Sequence, residues 1–129
     1  WHKSLGILVL MLAIMRLLWR MAGSIPTLPD ASFIQRRLAN LGHSLLYGLM
    51  LVLPLSGWLM SSAANRPINW FWIMELPALT GPNKALKEIA EEVHEISVIL
   101  LLVVLALHIG AALWHQFKRR DSILRRMWF

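Results

Sequence analysis

Three long stretches of the chain are apolar on every side, with no polar stripe at helical spacing. Residues 38–64 contain no Asp, Glu, Lys or Arg, and residues 96–117 are equally free of them around the run Ser97-Val-Ile-Leu-Leu-Leu-Val-Val-Leu-Ala-Leu107. A third stretch, 1–22, is interrupted by Lys3, Arg16 and Arg20, but 5–15 is unbroken and long basic side chains near helix ends can reach the interface. About 20 apolar residues suffice to cross a hydrocarbon core about 30 Å thick. The pattern therefore predicts an all-α membrane protein with three transmembrane helices at about 1–22, 38–64 and 85–118, in a single domain over 1–129.

Breaker residues mark the connections. Gly23-Ser24-Ile25-Pro26, followed by Pro29, Asp30 and Ser32, predicts a loop reaching Arg37. Pro67, Pro77, Gly81 and Pro82 punctuate the second connection. Its end, 82–95, reads as the amphipathic start of the third helix, with Thr80 or Gly81 as cap, Pro82 in the first turn, and Glu88, Glu91 and Glu92 near the positive end of the helix dipole.

Composition narrows the function classes. Of 129 residues 57% are hydrophobic and 16% charged, against roughly 45–50% and 25% in soluble domains. The absence of cysteine excludes disulfides, thiolate metal sites, iron–sulfur clusters and cysteine nucleophiles, so any metal must rest on nitrogen or oxygen. The net charge of +6 does not point to nucleic acid, because the basic residues flank spans and form no independent face. Nine of the thirteen basic residues (Arg16, Arg20, Arg36, Arg37, Lys118, Arg119, Arg120, Arg125, Arg126) fall on one side, which predicts a cytoplasmic C-terminus. Six of the seven Trp fall near the interfaces: Trp1, Trp58, Trp70 and Trp72 outside, Trp19 and Trp114 inside. The chain opens on Trp1 with no charged segment before its apolar run, and reads as the continuation of a longer chain.

Ionisable side chains inside a bilayer are costly and mark function, and the histidines carry that signal here. His94 and His108 are fourteen residues apart, which in a helix is about 21 Å along the axis and within about 40° of the same face. That interval is too long for one metal ion with ligands about 2 Å away. It suits two stacked haems, one near each bilayer face. His2 is the matching residue at the outer level and His43 at the inner level, although for His43 a hydrogen bond to a hydroxyl or carbonyl ranks ahead of ligation. Arg16 lies fourteen residues after His2, with Arg20 one turn further; either guanidinium matches a haem propionate, and both also serve as topogenic charge. His115, beside Trp114 and Lys118, fits contact with lipid headgroups.

Several short pieces add up to a resemblance: His2-Lys3-Ser4-Leu5-Gly6-Ile7, Arg16-Leu-Leu-Trp-Arg20, Pro26 with Leu28-Pro29, Gly42-His43-Ser-Leu-Leu-Tyr47, Ser56-Gly57, Val93-His94-Glu95, His108 with Ala111-Ala112-Leu113 and His115, and Asp121-Ser122 with Leu124-Arg125-Arg126-Met127. In order and spacing they resemble the bacterial cytochrome b561 family, related to the cytochrome b subunits of nickel–iron hydrogenases and formate dehydrogenases. The resemblance implies an up-and-down four-helix bundle, here apparently missing its first helix, that binds two haem b groups through histidine pairs. By family position His2 and His94 would hold the outer haem and His108 one side of the inner haem. The family's remaining ligand lies on the first helix, which leaves a fragment, substitution by His43, or loss of the inner haem as alternatives; in the family the residue at His43 recurs without binding iron.

The family likeness also implies an inner-membrane electron carrier between an outer donor and the quinone pool, in some members a superoxide oxidase delivering electrons to ubiquinone. Arg16, Arg20 and His115 lie at a suitable depth for the quinone. Two other readings stand beside it: a haem-bearing anchor subunit docked to a redox partner protein, and a haem-free transporter using His94 and His108 as a proton relay.

Overall fold

A computed structural model describes residues 1–23 and 31–118 of the chain. Its elements run α1 (His2–Ala22), α2 (Phe33–Ala63), β1 (Ile68–Trp70), β2 (Met74–Leu76) and α3 (Lys84–Lys118). All three helices are long and apolar enough to cross a membrane. The expected breaker segment from Ser24 to Asp30 and the basic residues from Arg119 onward lie outside the described residues.

The middle helix organises the bundle: α2 packs against α1 on one side and α3 on the other, while β1 rests on α1. What is buried is mostly small. Ser4 and Ala13 of α1, Ser56, Ser61, Ser62 and Ala63 of α2, and Ala90 and Ser97 of α3 are buried, whereas Leu107 of α3 is 69% exposed. Lipid is as apolar as leucine, so outward leucines cost nothing, and the helices gain by close backbone approach at small residues.

Helix starts differ from the expected positions for local reasons. The second helix begins at Phe33, where Ser32 and Gln35 form a reciprocal capping box, so Arg36 and Arg37 are helical and not part of a loop. Once the first turn's donors are capped, a helix can run beyond the hydrocarbon into the charged interface. Ser32→Ala is expected to speed amide exchange in the first turn of α2 about fivefold, corresponding to about 1 kcal/mol; unchanged exchange would mean the cap contributes nothing. The third helix begins at Lys84, capped neither by Thr80 nor by Gly81. Asn83 does this work, its Oδ1 accepting from the Leu86 N–H at 3.0 Å. Pro82 therefore precedes the helix, and the first turn holds no acidic residue; Glu88 begins one turn in, where it meets Lys84 at 3.9 Å, as Glu91 meets Lys87 at 2.9 Å.

Between α2 and α3 lies a feature the pattern did not predict, an antiparallel hairpin with Ile68 opposite Leu76, Asn69 opposite Glu75 and Trp70 opposite Met74. The connection is pinned to the helix ends. Ser4 Oγ donates to the Asn69 carbonyl at 3.3 Å and accepts from the Phe71 N–H at 3.0 Å. Trp58 Nε1 donates to the Pro77 carbonyl at 3.1 Å, and Ser62 Oγ accepts from the Leu79 N–H at 3.1 Å. Asn65, at φ 54°, takes the left-handed position just past α2 that ends helices.

Candidate functional site

His94, on α3, turns its ring onto the backbone of α2. Its Nδ1 lies 2.9 Å from the Leu53 carbonyl oxygen and 3.1 Å from Ser56 Oγ. A carbonyl oxygen can only accept, so Nδ1 carries the proton and donates. The Ser56 hydroxyl spends its own proton on the same carbonyl at 2.8 Å and keeps lone pairs for the imidazole. With Nδ1 committed to that carbonyl, Nε2 is the ring nitrogen on which a metal could be held. The close approach depends on Gly57: a Cβ there would meet His94 Cε1 at 3.2 Å and Nδ1 at 3.4 Å.

His2, the first residue of α1, brings its ring centroid to 6.2 Å from that of His94, with the planes at 81°. This links the two outer helices of the bundle across the face of α2. At the other level, His43 of α2 and His108 of α3 have centroids 5.4 Å apart at 65°. One turn from His43, Tyr47 takes the Arg20 guanidinium of α1 over its ring, 5.5 Å from the centroid. The structure thus gathers His2 with His94, and His43 with His108, while Arg20 and Tyr47 lie near the second pair. Arg16 is exposed, and His115 is half-buried on α3, seven residues beyond His108. Among the described residues, no group of three or more His, Asp or Glu converges as metal-holding groups do.

Membrane-length helices that bring imidazoles together in pairs at two levels, with no third His, Asp or Glu converging on either pair among the described residues, are consistent with a membrane b-type cytochrome. The chain belongs to the prokaryotic cytochrome b561 family, whose sequence pattern matches residues 1–129. Among its relatives, cytochrome b561 homolog 2 of Escherichia coli K12 is 35% identical over 127 residues, 98% of this chain and 68% of that protein. Cytochrome b561 homolog 1 of the same strain is 31% identical, covering 98% and 72%. A probable superoxide oxidase CybB of Yersinia pestis is 29% identical over 128 residues, again 98% and 72%. Family members bind b-type haem, and the chain is a membrane protein of haem-based electron transfer.

The donor set can be tested against that cofactor. A zinc ion held by protein alone takes three or four protein ligands, whereas a porphyrin brings four nitrogens and leaves two axial positions. With a metal–nitrogen bond of about 2 Å and a ring nitrogen about 1.2 Å from its own centroid, two imidazoles on one iron hold their centroids about 6 Å apart. The His2–His94 separation of 6.2 Å fits; the 5.4 Å between His43 and His108 is too short for an iron between them as the rings stand.

Sequence reasoning had found all four of these histidines but not what holds them. In the sequence Ser56-Gly57 is only a matching dipeptide, and Tyr47 only the end of the six-residue piece that starts at Gly42. Two small residues in a charge-free span were the available signal, but the side chain they admit lies 38 positions away.

Proposed function

We propose that the chain is a single-domain electron carrier of a bacterial inner membrane, C-terminus in the cytoplasm, that moves electrons from a donor at the outer face to the quinone pool. In this reading His2 and His94 would hold an outer haem b and His108 would supply one ligand to an inner one. The observation that carries the reading is the His2–His94 geometry together with the tethered His94 Nδ1. Bound between such imidazoles, a b-type haem supplies reversible one-electron chemistry.

The chain's own residues do the rest. The Leu53 carbonyl accepts from His94 Nδ1 and the Ser56 hydroxyl lies beside it, which fixes the tautomer and the orientation of the ring. At the inner level His43 acts beside His108 as an orienting neighbour, and Arg20, held over Tyr47, supplies positive charge for a propionate, with Arg16 a turn away. His115 is assigned to the quinone headgroup. Superoxide as the donor is supported by the likeness to a probable superoxide oxidase.

A reduced-minus-oxidised visible spectrum of the membrane-expressed chain, with a pyridine haemochrome assay, tests the reading. The expected result is a low-spin b-type band with at least one haem per chain, reduced by enzymatically generated superoxide and reoxidised by a ubiquinone analogue. A chain that takes up no haem sinks it in favour of a proton-relay transporter. A haem band blind to superoxide removes that donor alone, and His115→Ala with unchanged quinone reduction removes His115 from the quinone site.

A further inference from the structure

The hairpin between α2 and α3 has a turn built from residues that turns avoid. Trp70 and Ile73 close it, the Ile73 N–H donating to the Trp70 carbonyl at 2.9 Å. Both central residues have positive φ, Phe71 at 45° and Trp72 at 60°. This is the sign pattern of a type I′ turn, which favours Asn-Gly because bulky side chains are strained in the left-handed region. Two aromatic residues occupy it instead. They are followed by Ile73, 76% exposed, and Met74, 52% exposed, while Trp72 is 73% exposed. Three consecutive large apolar side chains at a loop tip are an unfavourable surface in water.

Depth places that tip. With 21 residues, α1 is about 31 Å long at about 1.5 Å per residue, just enough to cross the hydrocarbon thickness of about 30 Å. Trp1, at its end, therefore marks the boundary, where tryptophan is enriched. Trp72 packs edge-on against Trp1 with centroids 5.3 Å apart, and Phe71 does so at 6.1 Å. The Ser4 clasp, two hydrogen bonds from α1 to Asn69 and Phe71, holds the tip at this level. The hairpin is also two-faced: the paired Asn69 and Glu75 share the face opposite Ile68, Trp70, Met74 and Leu76.

We propose that Phe71, Trp72, Ile73 and Met74 form a lipid-interface anchor, inserted at the headgroup–acyl boundary beside α1 and continuous with that helix's lipid-facing surface. The aromatic rings take the interfacial level and Ile73 reaches the acyl chains, while Asn69 and Glu75 stay in water. The strained turn is retained because it splays apolar side chains toward lipid. This inference rests on the membrane placement of the helices and is independent of the haem reading.

The lack of cysteine makes single-site labelling direct. A nitroxide is attached to the Ile73→Cys variant of the full chain in phosphatidylcholine nanodiscs, and its collision rates with oxygen and with a water-soluble nickel chelate are compared. Lys84→Cys, whose native side chain is 90% exposed at the start of α3, supplies the aqueous reference, and Leu107→Cys the lipid-facing one. The expected oxygen-to-nickel ratio at position 73 is several-fold above that at 84 and nearer that at 107. In a Phe71→Asn/Trp72→Gly background, which keeps a turn but removes both rings, the ratio is expected to fall toward the aqueous value. A ratio at 73 equal to that at 84 overturns the proposal. So does an immobilised label shielded from both reagents, which would show a protein contact instead of lipid.

Discussion

Replacing His94 with alanine is expected to cost the chain one haem equivalent, a loss that excess haemin during reconstitution does not restore. His94 is the residue at which the outer site is fastened: its ring lies on α2 through Leu53 and Ser56 while its centroid stands 6.2 Å from His2 of α1. On the proposed assignment, its loss would leave His2 at the end of α1 as the one remaining imidazole of that pair. Loss of a group that hydrogen-bonds the imidazole is expected to cost less, typically about 10–100-fold in metal binding. Ser56→Ala belongs at the low end, about tenfold, because the shorter bond to the Leu53 carbonyl survives. Haem per chain and the low-spin band, followed by titration with haemin, order the series wild type, Ser56→Ala, His94→Ala. A full low-spin complement in His94→Ala would remove His94 from the ligand set.

Substitution at Gly57 is expected to have nearly as large an effect without touching any ligand. Alanine would place its Cβ 3.2 Å from His94 Cε1, tighter than ordinary contact, so the ring must retreat by a few tenths of an ångström and stretch its bond to Leu53. Valine adds two methyl groups to a Cβ that already crowds the ring, and overpacking of this kind costs about 1–3 kcal/mol, or roughly 5–150-fold in an equilibrium constant. The expected order of haem occupancy is glycine, then alanine, then valine, with a broadened or high-spin spectrum in the last. The displaced imidazole, not a failure to insert, is the cause, which retained helicity in detergent would confirm. A Gly57→Val chain with an unaltered spectrum would show that the ring's seat on α2 does not matter.

Much of the fold was legible because a bilayer imposes a simple rule. Charge-free runs such as 38–64 and 96–117 must be helices, since in lipid each backbone N–H and C=O has to bond within its own segment. The ends were less legible because the rule lapses at the interface. Arg36 and Arg37 fall at the end of a segment whose breaker residues read as loop, while the Ser32-x-x-Gln35 signature that starts α2 is present in the chain. The hairpin was hidden for the opposite reason: its turn is Phe71-Trp72, and strand prediction relies on Gly, Asn and Pro to announce reversals.

The candidate site divides along a similar line. Helical arithmetic set His94 and His108 on one wall of α3, at levels matched by His2 and His43, because rise and rotation per residue follow from backbone geometry alone. Which way that wall turns was decided by packing. The spans are apolar on every side, so hydrophobic periodicity carries no information about rotation, and the contact faces are chosen by small residues that let backbones approach. The small Ser56 and Gly57 leave room on α2 for the His94 ring, and only that closeness lets the Leu53 carbonyl accept the His94 Nδ1 proton. The amino-acid order determined the number of spans, their polar residues and the depth of each; the tertiary structure decided their rotation, because in lipid that depends on shape complementarity between distant small side chains, which no local pattern encodes.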